Sequence, residues 1–410
     1  MTPAAPPHSA RPPLTDGRRL GLRFALAVVC VGIGLATLSP TGSTPPQVCW
    51  DLICGDTGTA DAVLNVLLFI PLGAVLAALG WRWKETIAAA AVLVITIELL
   101  QLSLPGRTSG PGDVAFNTLG AAVGQAIAHT APLWTRLADR TAMRLSVIAA
   151  GGCVIVWGAT GALLSLSLPP GPYHGQWTPH LGRGEHYRGA VLSASLDAVP
   201  IPHANLANAD TVRALLHAGT ELRVRAFFGV PNRQLADVFS ITDAAGHEVL
   251  LFGPERTDFV VQRRRLATAL HLQGPDYRFV GPRARIAEGD TVDLAVTFTA
   301  TNGGACLTLR RSWTCAPGLS LGSGWTVLVP STHLTGWWRE VCNLLWVALI
   351  VGPVGFWGRR RWGSILAIAG LAVAMVVLPP SLGLHATMVP DYLGAGLGIA
   401  AGAAVRRRRR

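Results

Sequence analysis

The sequence contains little charge. Of its 410 residues only 14% are charged, whereas 50% are hydrophobic and the mean hydropathy is +0.41. Soluble globular proteins carry roughly a quarter charged residues. The shortage excludes a disordered chain and an ordinary soluble enzyme, and it favours an integral membrane protein.

Lysine is almost absent as well. Lys84 is the single lysine among 34 basic residues, and 23 acidic residues leave a net charge of +11. Such an excess is typical of nucleic-acid-binding proteins or of membrane proteins with basic cytoplasmic loops. No basic patch interleaved with aromatic residues occurs in a segment that could fold as a nucleic-acid-binding domain. We therefore expect membrane lipids, and no nucleic acid, among the partners.

Eight apolar stretches are long enough, or nearly so, to form transmembrane helices. They cover residues 22–38, 60–80, 86–104, 113–129, 145–168, 337–357, 363–379 and 389–405. With cytoplasmic tails at 1–21 and 406–410, every short cytoplasmic loop carries basic residues, including Arg359–Arg361. The positive-inside rule thus predicts a multi-pass protein of the plasma membrane with both termini in the cytoplasm.

Residues 169–336, between the fifth and sixth helices, have a different pattern. Their apolar residues form short alternating runs separated by turns such as DAAG (243–246) and TNGG (301–304). This pattern predicts an extracytoplasmic β-sandwich. The expected strands are 221–228, 236–242, 247–252, 258–264, 291–299, 305–311 and 324–330.

Four of the seven cysteines form two close pairs in segments predicted to lie outside the cell. Cys49 and Cys54 lie in the first outer loop, and Cys306 and Cys315 lie in the sandwich. An oxidising compartment favours two local disulfides. Free thiols are the alternative for both pairs, and a metal site is a further alternative for the first pair, although no second Cys/His pair accompanies it.

An internal repeat links the two ends of the chain. Residues 104–124 and 378–398 align without a gap, which predicts two four-helix copies in the same orientation. Four polar positions of the first copy are replaced in the second: Glu98, Gln101, Arg107 and Asp113 face Ala372, Met375, Ser381 and Thr387. Asn117 faces Asp391, and Asn65 has a rough counterpart in Asn343. Any functional site is therefore expected in the first copy.

Polar residues of the first copy are predicted to gather near the outer ends of its helices. They are Asp61, Asn65, Glu98, Gln101, Arg107, Asp113 and Asn117. Ionisable residues at membrane depth are costly and are usually paired or functional. The cluster is either a network that fixes three helices together or an outward-facing pocket. In a pocket, the arginine would bind phosphate or carboxylate, the amides sugar hydroxyls, and the carboxylates a cation or a proton.

These residues carry a resemblance to a known family. The segments DAVLNVLLFIPLGAVLA and IELLQLSLPGRTSGPGDVAFNTLGAAVG resemble the VanZ-like membrane proteins of bacterial cell envelopes. The match covers about residues 60–129 through three ordered motifs, although Gly110–Gly112 (GPG) stands where an acidic loop is expected. The resemblance implies a role in the cell envelope and an association with resistance to the glycopeptide teicoplanin. It assigns no reaction.

The predicted sandwich has a resemblance of its own. Its strand order is similar to that of concanavalin A-like or laminin-G-like jelly rolls, as in ELRVRAFF, DVFSITDAAGHEVLLFG and DLAVTFTATNGGACLTL. The resemblance implies recognition of carbohydrate or protein. Calcium often accompanies laminin-G-like folds, but a dense acidic loop is missing, so we predict no metal and no cofactor.

The sequence thus predicts a polytopic α-helical membrane protein with an extracytoplasmic jelly-roll domain. The membrane part comprises a VanZ-like domain at 22–168 and a degenerate second segment at 337–405, with the sandwich at 169–336 between them. The leading hypothesis is a non-enzymatic protein that binds a glycan or lipid-linked cell-wall precursor and affects glycopeptide susceptibility. The alternatives are a membrane enzyme acting on lipid-linked phosphates, with Glu98 or Asp113 as base, and a transporter.

Overall fold

The computed structural model describes residues 15–41, 45–179, 185–299, 304–330, 334, 336–359 and 362–408. Residues 1–14 of the predicted tail, Arg360, Arg361 and the last two arginines lie outside this part of the chain. By its contacts the chain divides into two compact units, Met1–Arg136 and Leu137–Arg410.

Four long helices form the first unit. They are α1 (Asp16–Leu38), α2 (Gly58–Ala78), α3 (Trp83–Gln101) and α4 (Pro111–Thr135), and two short strands, β1 (Gln47–Val48) and β2 (Thr108–Ser109), pair in parallel between them. All four helices occur where apolar stretches predicted them. α1 nevertheless begins inside the predicted tail, because the carboxylate of Asp16 in its first turn favours an earlier helix start.

Four further long helices belong to the second unit. They are α5 (Asp139–Leu164), α8 (Trp337–Trp357), α9 (Trp362–Ser381) and α10 (Val389–Arg408), so that α10 continues into the predicted basic tail. α5 packs against α8 and α9. The compact units divide at 136/137 because the fifth helix packs with helices from the end of the chain, and the predicted domain boundary at 168/169 stays a prediction.

Two six-stranded antiparallel sheets lie between α5 and α8. One sheet has the order β11-β10-β9-β8-β3-β6 and the other β14-β13-β12-β7-β4-β5. The strands are β3 (Tyr173–Trp177), β4 (Gly189–Leu196), β5 (Val199–Pro200), β6 (Asn205–Leu206), β7 (Glu221–Phe228), β8 (Phe239–Asp243), β9 (Glu248–Glu255), β10 (Asp258–Arg263), β11 (Asp276–Phe279), β12 (Thr291–Phe298), β13 (Gly304–Leu309) and β14 (Ser312–Pro317). Their inward side chains form one shared apolar core.

The domain departs from the prediction of an all-β fold because it also contains helical segments. It contains helix α6 (Ala209–Ala218), which buries Val212 and Leu216, and a short turn of helix, α7 (Leu266–Ala269). The predicted strand at 324–330 is wrong, because residues Leu321–Val327 form a 3₁₀ helix that we call the plug helix. Its serine and threonine side chains bond to nearby backbone, which competes with strand pairing.

Five helices of the described chain are long and apolar enough to cross a membrane: α1, α2, α5, α8 and α9. This is the pattern of a multi-pass membrane protein. α3, α4 and α10 are not among the five, and α3 and α4 carry charged residues of the predicted site such as Glu98 and Asp113. Eight membrane spans therefore stay a prediction, although all eight helices are formed.

The predicted repeat is reflected in how the helices pack. A Cβ at Gly120 or Gly124 of α4 would overlap the carbonyl oxygens of Val66 and Ile70 in α2. In the second unit, a Cβ at Gly394 or Gly398 of α10 would overlap those of Leu344 and Ala348 in α8. The aligned segments of the sequence place these two pairs of glycines opposite each other. In both copies, backbone therefore meets backbone at equivalent positions.

Both predicted disulfides are formed. Cys49 and Cys54 join with an S–S distance of 2.02 Å, and Cys306 and Cys315 join across directly paired positions of β13 and β14. Cys30, Cys153 and Cys342 are free. The pairing agrees with an oxidising environment for both segments.

The contact between α2 and α4 predicts that replacing glycine by alanine lowers the stability of the protein at some positions and not at others. Gly124→Ala should lower the stability of the protein by about 1–3 kcal/mol, because its methyl group would overlap α2, 2.9 Å from the Ala74 nitrogen. Gly34→Ala is the matched control, since a Cβ there meets nothing within 4 Å. Thermal unfolding in detergent measures both. Equal melting temperatures for the two variants would contradict the contact.

The lowered pKa of Asp243 predicts that the stability of the sandwich depends on pH. Burial raises the pKa of Asp243, but the backbone and side chain of His247 and the charge of Arg264 outweigh it, so that the pKa lies below the ordinary 3.8. A lowered pKa contributes stability above the unfolded-state value, and that stability is lost as pH falls through the folded-state value. Asp243→Asn should therefore lower the unfolding temperature at pH 7, with the difference narrowing below about pH 4. A difference independent of pH would contradict this.

Candidate functional site

At the end of the first unit where α3 is followed by α4, two loops touch through their backbones. β1 pairs with β2, and the disulfide Cys49–Cys54 follows β1 directly. Gly110 and Gly112 allow this approach, because a Cβ at either position would collide with the carbonyl oxygens of Cys49 and Leu52. Glycine at these two positions therefore lets the disulfide loop pack closely against the start of α4.

Beneath these loops lies a cavity of about 1000 Å³, which we call the polar pocket. All seven residues predicted from the sequence line it: Asp61, Asn65, Glu98, Gln101, Arg107, Asp113 and Asn117. The structure thus brings together residues from α2, α3, α4 and one loop. Their part in binding a ligand stays a prediction.

Arg107 forms hydrogen bonds with the end of α1, while its predicted binding of an anion stays a prediction. Its Nε donates to the carbonyl oxygen of Ser39 at 2.9 Å, and its Nη2 donates to that of Ala36 at 2.8 Å. These carbonyls lie at the C-terminal end of α1, where the acceptors have no partner within the helix. The guanidinium therefore caps α1 and uses its Nε and one Nη2 donor to do so.

The charge of Arg107 also interacts electrostatically with two pocket carboxylates, Asp113 and Asp61. Burial lowers the pKa of Arg107, whereas Asp113 and Asp61 raise it. No described carboxylate forms a direct ion pair with this guanidinium. The guanidinium therefore acts on these carboxylates through its charge and without a direct ion pair.

The carboxylates are held mainly by neutral donors. The backbone N–H of Gly110 donates to Glu98 at 2.9 Å, and Asn65 donates from Nδ2 to Asp113. The hydroxyl of Thr57 donates to Asp61 at 3.3 Å. Three carboxylates thus face one cavity, and with these few bonds they retain capacity to accept further hydrogen bonds.

Two amides of the pocket are only partly satisfied. Gln101 donates from Nε2 to the carbonyl oxygen of Thr37 at 2.8 Å, but its Oε1 is buried without a partner among the described residues. Asn117 is 2% exposed, and its Oδ1 likewise lacks a donor there. An unpaired buried acceptor costs about 1–3 kcal/mol, so both oxygens favour a donor from outside the chain.

Below the polar residues the four-helix unit is closed by apolar packing. Phe69, Leu72, Ile97 and Ala121 are buried in one cluster under the pocket. The pocket wall also includes Leu67, which is 48% exposed. The cavity therefore opens at one end of the unit and not through it.

Sequence reasoning missed the lining supplied by α1 and by the disulfide loop. Ala36, Thr37, Cys49, Leu52 and Thr57 also line the pocket. The α1 residues could not be recognised from the sequence, because their backbone carbonyls, and not their side chains, accept the hydrogen bonds from Arg107 and Gln101. The loop was detectable in principle, since a local disulfide and two glycines at 110 and 112 mark a close crossing of two segments.

The first unit is thus a helical membrane domain with an open polar pocket at one end. Residues 33–134 match the family model described as VanZ/LLP1, from within α1 to near the end of α4. The chain matches no curated protein and no solved structure. It therefore contains a VanZ-like domain, and this domain includes all seven polar residues. The resemblance of the sandwich to concanavalin A-like or laminin-G-like domains stays a prediction.

The capping role of Arg107 predicts how its replacements behave. Arg107→Gln should cost about 2 kcal/mol of stability, because two carbonyl oxygens of α1 lose charged donors. Arg107→Lys should recover only part of this, since a lysine lacks the planar fork that reaches both oxygens. Arg19→Gln, at the exposed start of α1, is the control. Chemical unfolding followed by tryptophan fluorescence measures all three, and full rescue by lysine would contradict the hydrogen-bonding role.

Proposed function

We propose that this VanZ-like membrane protein of the bacterial cell envelope binds a glycan or lipid-linked cell-wall component in its polar pocket. The observation that carries the proposal is the pair of buried amide oxygens on Gln101 and Asn117 without donors in the described chain. Sugar hydroxyls are donors of suitable size and number for such acceptors. The three carboxylates of the pocket extend the same set of acceptors.

The shape of the pocket supports a ligand attached to lipid. Its wall combines the polar residues with Leu64, Leu67 and Phe116. A sugar at the polar end would leave a lipid chain free to follow the exposed apolar side of α2. The packed residues under the pocket disfavour the alternative of a transporter, whose site is expected near the middle of the membrane with access from both sides.

The alternative of a lipid-phosphate enzyme has less support. A phosphoryl group needs cationic donors aimed at its oxygens. Arg107 directs its Nε and Nη2 to backbone carbonyls, and the other charged residues of the pocket are acidic. A binding protein that withdraws or presents a cell-wall component is the simpler account, and such binding would alter susceptibility to glycopeptides.

For the sandwich we propose a jelly-roll domain that also recognises sugars. The outer face of the sheet β14-β13-β12-β7-β4-β5 is exposed. Trp313 on this face is 73% exposed and pairs with Thr308 across the strands. An exposed indole beside hydroxyl groups is a suitable surface for stacking a sugar ring, which has one apolar face.

We infer the orientation from the second unit. Arg359 at the end of α8 pairs with Asp139 at the start of α5 at 2.9 Å, so these two helix ends lie together. The sandwich joins the opposite ends of the same helices. α10 runs parallel to α8 and ends in arginines, which makes the end away from the sandwich basic. By the positive-inside rule that end is cytoplasmic and the sandwich is extracytoplasmic.

The binding proposal predicts the effect of removing one acceptor. Asn117→Ala should weaken binding of a soluble muropeptide or of a polyprenyl-diphosphate-linked disaccharide by about tenfold, since one hydrogen bond is lost. Gln125→Ala removes a buried amide from the other end of α4 and is the matched control. Titration calorimetry on purified protein measures both. Unchanged affinity in Asn117→Ala, or no binding of either ligand to the wild-type protein, would contradict the proposal.

A further inference from the structure

The second copy of the repeat contains a counterpart of the polar pocket. The glycine contacts set α10 against α8 as α4 is set against α2, with Leu344 of α8 in the place of Val66 of α2. In this register Asn343 occupies the position of Asn65, and Asp391 occupies that of Asn117. One turn earlier in α8, Arg339 stands where the first copy has Asp61. The counterpart thus has a cation in place of an anion.

This counterpart is filled by the chain itself. The plug helix lies against α8 and α10, and its residues Leu321–Val327 are buried. Trp325 donates from Nε1 to Oδ1 of Asn343 at 2.7 Å. A Cβ at Gly322 would overlap Oδ1 of Asp391 and lie 2.9 Å from Cβ of Asn343. An indole and a glycine backbone, both uncharged, occupy the space beside these two residues.

The two copies differ in charge as well as in occupancy. The second copy has Ala372, Ser381 and Thr387 where the first has Glu98, Arg107 and Asp113. In the first copy three carboxylates face the cavity, and its single guanidinium is bonded to carbonyl oxygens at the end of α1. The occupied site thus holds a neutral segment, although Oδ1 of Asp391 has no hydrogen-bond partner among the described residues, whereas the open site has an excess of negative charge.

The unpaired oxygens of the open site add a second requirement. Asn117 and Gln101 are more than nine-tenths buried, line the cavity, and each has an amide oxygen without a donor among the described residues. An occupant that satisfies them must donate hydrogen bonds and need not accept any. A primary ammonium has three donors, no acceptor and the positive charge that the carboxylates favour.

We propose that the polar pocket selects a ligand that carries a primary ammonium group. The proposal rests on the proposed function and specifies the class of ligand for the same pocket. The ammonium belongs either to an aminolipid headgroup or to the peptide part of a cell-wall component. In both sources it lies beside Asp61, Glu98 and Asp113, while the amide oxygens of Asn117 and Gln101 accept from it or from neighbouring hydroxyls.

A matched pair of ligands tests the proposal. The probes are a muropeptide with a free primary amine and the same muropeptide after N-acetylation, titrated into the full-length protein in phosphatidylcholine nanodiscs. We expect the amine to bind at least about tenfold more tightly. Asp61→Asn, which is nearly isosteric and loses only the charge, should reduce this ratio towards one. Asp51→Asn, an exposed carboxylate outside the pocket lining, should leave it unchanged.

A lipid arm distinguishes the two sources. Native mass spectrometry after extraction from mixed phosphatidylethanolamine and phosphatidylcholine shows whether an aminolipid is retained, and Asp61→Asn and Glu98→Gln should release it. Retention of the aminolipid, or preference for the free-amine muropeptide, supports the proposal. Equal binding of both muropeptides without aminolipid preference overturns it and leaves the proposed glycan function standing. No binding of any probe overturns both.

Discussion

The close approach of α2 and α4 is the contact on which the site depends. Gly120 and Gly124 allow the backbone of α4 to meet the carbonyls of Val66 and Ile70, so that no side chain separates the two helices. Asn65 of α2 and Asp113 of α4 consequently come within hydrogen-bonding distance. A larger residue at either glycine would separate the pair and widen the pocket. Small residues therefore set the position of the polar ones.

The same contact occurs between α8 and α10. The two copies differ in what fills the space at the end of the paired helices. In the first copy a disulfide loop lines part of this space, which remains an open cavity with acidic and amide groups in its wall. In the second copy the plug helix enters it and donates a hydrogen bond to Asn343. The structure thus has one open and one occupied version of the same contact between two helices. The occupied version fixes the base of the sandwich to the helices.

Much of this arrangement was predictable, and the failures have physical reasons. Helix positions follow from apolar runs, the disulfides from close spacing, and six of the seven pocket residues from their spacing on helices, while Arg107 lies in a loop. The role of Arg107 was not predictable, because its partners are the carbonyls of Ala36 and Ser39, and a carbonyl is present at every position of the chain. The plug helix was predicted as a strand, since its alternating pattern is local whereas its partners Asn343 and Asp391 lie outside that segment of the sequence.

The central claim is that the first-copy pocket is open and its counterpart is sealed. Two variants test this claim, each with one new cysteine at an equivalent position of the two copies. Both are made in a chain whose free Cys30, Cys153 and Cys342 are replaced by alanine. Asn65→Cys should react rapidly with a water-soluble maleimide in intact membranes, whereas Asn343→Cys should remain unmodified until the protein is unfolded. Equal labelling of the two positions, or faster labelling at Asn343→Cys, would contradict the account.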